Sequence, residues 1–373
     1  MEAKDATCIA AHFDAIEDPR RDRGKLHKLN DILIIAICAT IGGAEGWDDI
    51  AAFGKAKQDW FEQRLDLEHG IPSADTFRRV IALIKPRHFA QCFLCWVNAV
   101  VQDLGGDRIA IDGKTLKGSY DHPKAAIHMV SAWANEHRLV LAQEKVDQKT
   151  NEITAIPALL EVLDLEGCIV TLDAMGTQRE IAQQIHDQGA DYVLALKANH
   201  GILHAEVAEY FEDAKAIYFK GIDHDYAETL DIGHARRERR RCLVSGDVTW
   251  LRDYAKWAGF RSLILVESER ATYTKETVQQ RYFISSLAPD AAKILAAVRG
   301  HWGIENQLHW VLDVSFSEDA CRIRRNNGAE NFSVLRRIAL NVLRQDTESK
   351  LSLKAKRKTA GWNNDYLARI LRI

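Results

Sequence analysis

The segment Cys168-Ile169-Val170-Thr171-Leu172 constrains the fold most. It is a short, nearly unbroken apolar run closed by Asp173. Such a run reads as a strand covered on both faces, because a half-exposed strand would alternate polar and apolar residues. A second buried strand is expected over 192–196, after a helical spacing over 178–188. Upstream, 108–112 reads as a short apolar strand. Residues 127–134 and 139–146 follow as a hairpin around Asn135-Glu136, and 153–163 has helical spacing. Three strands, helix, strand, helix, strand predict a mixed α/β sheet with helices on its faces.

The first 104 residues have a different pattern. Apolar residues recur at helical spacing over 29–40, 47–57 and 86–100, with Pro86 placed to open the last of these. Ser73 stands where a helix over 74–83 needs a cap. Gly105-Gly106 ends the helical pattern, and a domain boundary is expected there, with 1–104 a separable all-helical domain. Residues 200–288 interrupt the α/β alternation. They hold a helix over about 202–214, then strand-like runs at 242–250, 263–267 and 281–287, and read as a β-rich insertion. Helical pattern resumes at Ala291 and again over 334–343. The catalytic unit is expected over 105–345, with a basic tail at 346–373.

Composition excludes some classes. The chain has 373 residues and a net charge of −3, so it is no polycation, although local patches remain open. The longest apolar run, 32–41, is too short to span a membrane and reads as a buried helix. The N-terminus, MEAKDATCIA, has no basic segment followed by an apolar one, so no secretory signal is expected. Seven scattered cysteines argue against a disulfide framework and for a cytoplasmic location.

Three carboxylates stand out. Asp112 closes IAID and Asp173 closes CIVTLD, each at an expected strand end, where α/β sheets gather their sites. Glu305 lies in RGHWGIENQLHW, on or beside a helix. Converging carboxylates need a cation, and Mg²⁺ prefers such oxygen ligands. Two ions so held can clamp the attacking and leaving oxygens of a phosphodiester. Equally, an Asp at a strand end serves as an ordinary turn or cap residue.

The segments IDGKTLKGS, TLDAMGTQREIAQQI with DYVLALKANH, and HWGIENQLHWVLDVSFSEDACRIR resemble the three signature blocks of the H-repeat-associated insertion-sequence transposases. Upstream, DPRRDRGKLHKLNDILIIAICATIGGAEGWDDIAAFG resembles the helical domain associated with that family. The resemblance covers nearly the whole chain. It implies an RNase H-like catalytic core, an acidic triad at Asp112, Asp173 and Glu305, and two Mg²⁺ or Mn²⁺ ions. It also implies DNA as partner, both element ends and target, with a homodimer assembled on paired ends. The reading is a DNA transposase that cleaves and joins strands. The alternatives are a domesticated nuclease and an inactive DNA-binding descendant. In the wider group the Glu block carries Tyr, Arg and Lys where this chain has Val298, His301 and Leu312. Phosphate contacts there pass to Arg299, His301 and Arg322 as candidates. Ala198 and Ala235 stand where glycines are expected.

Other motifs are weighed against simpler roles. Gly113-Lys114-Thr115 invites a phosphate-loop reading, but the glycine five residues earlier is Arg108, so no nucleotide cofactor is expected. Lys114 and Lys117 read either as DNA-phosphate contacts or as a solvated turn. Cys92 and Cys95 lie in an apolar helical pattern and read as core, and His200 and His204 as structural. The run at 234–241 is the densest basic cluster, with Arg236, Arg237, Arg239 and Arg240 as DNA-binding candidates. GIPSADTFRRVIALI resembles the turn and second helix of a helix-turn-helix, with Arg78 and Arg79 facing DNA, or else an ordinary helix pair.

Overall fold

In the computed structural model, residues 8–22, 25–101, 103–146, 152–233, 236–273 and 275–372 are described. Six helices come first: α1 (Ile9–Phe13), α2 (Leu29–Ile41), α3 (Trp47–Ala56), α4 (Gln58–Glu62), α5 (Ala74–Leu83) and α6 (Pro86–Val100). As expected, Ser73 caps α5, its Oγ accepting the Thr76 N–H, and Pro86 opens α6. Helix α2 is apolar all round, and no residue from 32 to 41 is more than 4% exposed. A helix without a polar face must sit at the centre of a packed layer.

Near its start, α2 also buries Asp31, whose Oδ2 has no hydrogen-bond partner. Burial pushes the Asp31 carboxyl up to about 6; Asp66 and Asp14 add to the rise, and Lys28 opposes it. A folded-state pKa above the unfolded value means that the folded chain holds the proton longer. Stability is therefore highest near pH 4 and falls as pH rises toward about 6. The expected loss is on the order of 2 kcal/mol. Asp31→Asn should flatten this slope and stabilise the protein above about pH 6, as read from denaturant midpoints across that range.

The sheet is built from β1 (Arg108–Leu116), β2 (Ile127–Ala134), β3 (Leu139–Val146), β4 (Ile169–Leu172), β5 (Asp191–Leu196), β6 (His224–Gly233), β7 (Arg236–Ser245), β8 (Ser262–Thr272) and β9 (Glu276–Ser285). Helices α7 (Glu152–Glu161), α8 (Arg179–Asp187) and α9 (Gly201–Ala216) connect parts of it. All nine strands form one sheet, in the order β3-β2-β1-β4-β5-β9-β8-β7-β6. The pairs β1–β4 and β4–β5 are parallel and the others antiparallel. This is an all-helical N-terminal region followed by an RNase H-like mixed sheet flanked by helices. The β-rich insertion continues the same sheet, because β9 pairs with β5. Strand β6 was not foreseen: its residues are mostly polar and exposed, so no apolar pattern marks it. Strand β7 starts earlier than expected and takes in the arginine cluster.

Helix α10 (Ala291–Gly303) lies across one sheet face. Its Ala291, Ile294, Leu295, Ala297 and Val298 join a cluster with Ile169, Val193, Val244, Ile264, Val266 and Phe283. Helix α11 (Trp310–Phe316) follows after a π-helical turn, Ile304–His309. Helix α12 (Gly328–Gln345) packs against α2, α5, α6 and β3. The main apolar core therefore runs from the N-terminal helices into the sheet, across the boundary read near 104. Residues beyond 346 form α13 (Leu353–Trp362) and α14 (Asn364–Leu371), which pack on α12, and α13 also meets α2. Among the described residues no single helix is long and apolar enough to cross a membrane.

Candidate active site

Strand β1 runs on to Leu116, so Asp112 sits in its middle and does not close it. The parallel register sets Ile111 opposite Leu172. Asp112 and Asp173 therefore follow at the same level of neighbouring strands. Asp173 lies just past β4 and opens a turn, its Oδ1 accepting the N–H groups of Met175 (2.9 Å) and Gly176 (3.2 Å). Glu305 comes from the helix layer, in the π-helical turn after α10. Such turns insert a residue into a helix and recur at functional sites. Close approach of this segment to the β2–β3 turn depends on Gly303, where a Cβ would stand 2.3 Å from Asn135 Oδ1.

Asp112, Asp173 and Glu305 line one cavity of about 490 Å³, together with Thr171, Lys197, Arg281, His301 and Trp302. Burial pushes the Asp112 carboxyl up to about 7, and the charges of Glu152, Asp173 and Glu305 add to the rise. His309 Nδ1 is 3.7 Å from Asp112 Oδ2; burial pushes that ring down to about 3, so it is neutral near pH 7. His301 is likewise pushed down to about 4 by burial, and its Nδ1 is 3.0 Å from Thr171 Oγ1. The His301 ring, pushed toward its neutral form, lies in the wall of the cavity.

The other carboxylates near the Glu305 segment are already neutralised. Lys114 is 8% exposed and lies between Asp313 Oδ1 (2.7 Å) and Asp319 Oδ1 (2.8 Å). Lys117 pairs with Asp319 Oδ2 at 2.6 Å. Glu318 and Arg337, both wholly buried, pair at 3.0 Å. Among the described residues, Asp173 and Glu305 form no ion pair and Asp112 meets only His309. Of these carboxylates, Asp112, Asp173 and Glu305 are thus the ones that form no ion pair with Lys or Arg among the described residues. Their donor chemistry, all oxygen, suits a hard divalent ion, and such an ion would offset the mutual repulsion that raises Asp112. Among the described residues, however, no group of three or more His, Cys, Asp or Glu side chains is gathered closely enough to hold a metal ion.

Gly113, Lys114 and Thr115 lie within a strand, so no phosphate loop forms there. The arginine cluster divides between the two faces of β7. Arg239 pairs with Glu228 (2.9 Å) and Arg241 with Glu269 (3.3 Å), while Arg240 meets Asp231 (2.7 Å) and Glu238 (2.9 Å). Arg236 is 3.6 Å from Glu238, and Arg237 is exposed. His234 and Ala235 lie outside the described residues. Arg299 pairs with the same Asp231 at 2.8 Å. Arg78, which pairs with Asp75, and exposed Arg322 share a separate groove with Trp47, Arg324 and Arg325, and Arg79 is exposed on α5.

Lys197, Arg281 and Trp302 line the cavity and were not singled out from sequence. Lys197 lies in DYVLALKANH, a block noted for its resemblance alone. Here Asn199 Nδ2 donates to Ala174 O at 2.7 Å, tying that block to the turn beyond Asp173. Arg281 carried no signal, since it belongs to an unremarkable strand.

A mixed sheet of this order, with Asp112 on β1, Asp173 just past its parallel neighbour β4 and Glu305 in the turn after the covering helix, is of the RNase H-like class. Comparison with known proteins narrows this. A family model described as "Transposase DDE domain" matches residues 103–342, and one described as "DDE_Tnp_1-associated" matches residues 10–97. The chain is 42% identical to the "H repeat-associated putative transposase YhhI" of Escherichia coli K12, over 97% of each chain. It is 43% identical to the "Putative transposase YncI" of Escherichia coli O157:H7, over 96% of this chain and 93% of that one. It is also 46% identical over 74 residues, 20% of its length, to 88% of the "Inactive transposase YbfQ" of Escherichia coli K12. The chain belongs to the H-repeat-associated family of DDE transposases.

Proposed function

We propose that this chain is an active transposase. It binds the ends of its own insertion sequence, cleaves phosphodiester bonds there and joins the freed 3′-OH to target DNA. The observation that carries the reading is the charge state of the site. Asp112, Asp173 and Glu305 line one cavity without cationic partners, while Asp313, Glu318 and Asp319 are matched by Lys114, Lys117 and Arg337. The triad would hold Mg²⁺ or Mn²⁺, and two such ions supply activation of the attacking oxygen and stabilisation of the leaving one. The chain's own groups then do the rest. The carboxylates would fix where the ions sit, between β1, β4 and the π-helical turn. The apolar and neutral walls, including His301, limit water. Lys197 and Arg281 supply positive charge at the cavity rim.

DNA affinity is assigned to the exposed arginines, Arg236 and Arg237 on β7 and Arg78 and Arg79 on α5, with Arg322 beside Arg78 in one groove. Recognition of the ends falls to α5, and a dimer brings two ends together. The test uses the purified chain, DNA carrying the terminal inverted repeats of its element, and Mg²⁺ or EDTA. Metal-dependent nicking at the element boundary, followed by joined product, is the expected result. Nicking without joining would leave a nuclease, and binding without nicking an inactive descendant.

A further inference from the structure

We propose that Arg281 grips the backbone phosphate next to the reacting bond, so that a DNA strand enters the carboxylate cavity along an adjoining arginine-lined groove. The inference rests on the DNA-processing reading above and adds the route and the residue.

Two cavities meet at a shared wall. The carboxylate cavity and a neighbouring groove of about 600 Å³ have Gln279, Arg281 and Trp302 in common. Arg236, Arg240, Arg270 and Arg299 also line that groove. Its facing acids are Glu238, which also lines it, and Asp231, which pairs with Arg240 and Arg299. Five guanidinium groups against two carboxylates leave a cationic surplus, which fits a polyanion and not a small neutral ligand. The groove follows from the sheet register. Arg236 and Arg240 on β7 and Arg270 on β8 face the same way as Thr277, Gln279 and Arg281 on β9. Residues on one strand face recur about every 6.6 Å, a step comparable to the spacing of neighbouring phosphates along one DNA strand.

Arg281 differs from the other arginines of the groove. Of these arginines it shares with Arg270 alone the lack of an ion pair among the described residues, and unlike Arg270 it also lines the carboxylate cavity; its Nη2 donates to Gln279 Oε1 at 3.0 Å. Its guanidinium lies over the Trp302 ring, 5.0 Å from the centroid. Stacking holds the planar group by its face and leaves edge N–H groups for a bidentate contact with phosphate. Half-buried beside Glu305, it is the arginine that reaches both cavities. The alternatives read from sequence are placed otherwise: Arg299 is paired with Asp231, His301 is held toward its neutral form beside Thr171, and Arg322 lies in the groove with Trp47 and Arg78.

The experiment uses the full chain with a fluorescent duplex of random sequence in EDTA, titrated at several salt concentrations. Arg281→Gln is expected to weaken binding and to lower the slope of log K against log salt by about 0.9, the signature of one lost phosphate contact. Arg281→Lys should restore the slope but not the full affinity. Trp302→Ala should keep the slope and weaken binding severalfold. Arg261→Gln, at the far end of β8 and outside both cavities, should change nothing. In Mg²⁺, with end-bearing DNA, Arg281→Gln should also slow single-turnover cleavage on the order of a hundredfold. An unchanged slope for Arg281→Gln in a chain that binds DNA overturns the proposal and leaves the DNA reading standing. So does a changed slope with unaltered cleavage, which would set the contact away from the carboxylates. A wild-type chain without salt-dependent DNA binding overturns both.

Discussion

Asp112→Asn, Asp173→Asn and Glu305→Gln should each reduce DNA cleavage by at least about a thousandfold. Each change removes a ligand charge at nearly constant volume. Metal ions acting as Lewis acids contribute several kcal/mol to such transition states, and each 1.4 kcal/mol or so is tenfold in rate. Binding of end DNA in EDTA should stay within a few-fold of wild type, because the proposed backbone contacts are arginines of α5, β7 and β9 and none of these three carboxylates is among them. Folding should also survive. Asp112 is a half-buried carboxylate raised to about 7 by desolvation and by its acidic neighbours, so a neutral amide there relieves repulsion. The measurement is single-turnover cleavage with Mg²⁺, beside anisotropy with EDTA and a thermal melt. Near wild-type cleavage for any one variant would remove that residue from the triad.

Glu318 should behave in the opposite way, although it lies only thirteen residues beyond Glu305. Glu318 and Arg337 are both wholly buried, and the Glu318 Oε1 pairs with Arg337 Nη1 at 3.0 Å. Ser333 Oγ and O also accept from that nitrogen. Removing one partner strands a buried charge, which costs about 3–5 kcal/mol. Glu318→Ala is therefore expected to shift the denaturant midpoint strongly, with loss of cleavage following loss of fold. A paired replacement by apolar residues, Glu318→Leu with Arg337→Met, should recover much of that stability, since a packed apolar pair often matches a buried ion pair. A Glu318→Ala variant that keeps its midpoint but loses cleavage would instead make Glu318 a site residue.

Several features were legible without coordinates. The apolar run before Asp173 and the change of pattern at Gly105-Gly106 are local signals, and both correspond to elements of the fold. Asp112 and Asp173 could be picked from position alone, because a carboxylate after buried strand residues is conspicuous. Glu305 could not, since an acid on a helix is ordinary; it was found through the resemblance of its segment to a transposase block. The strand β6 escaped notice because both of its faces are largely solvated and no alternation marks it.

What the sequence left open concerns charge. Lys114 was weighed as a phosphate contact, and its sequence neighbours give no hint of Asp313 and Asp319, 199 and 205 residues away. The arginine run read from sequence as the densest basic cluster meets acids of β6, β7 and β8 at most of its members. The sequence by itself determined the division into an all-helical N-terminal region and a mixed sheet, with most of its elements in order, and it singled out Asp112 and Asp173 as candidates. These depend on periodicity, caps and turns within a few residues. The tertiary structure alone decided which charges are spoken for, which arginine stands free at the cavity, and that the insertion extends the sheet. Those outcomes are settled by burial and by partners far apart in the chain, and a charge becomes available for chemistry when folding leaves it unpaired.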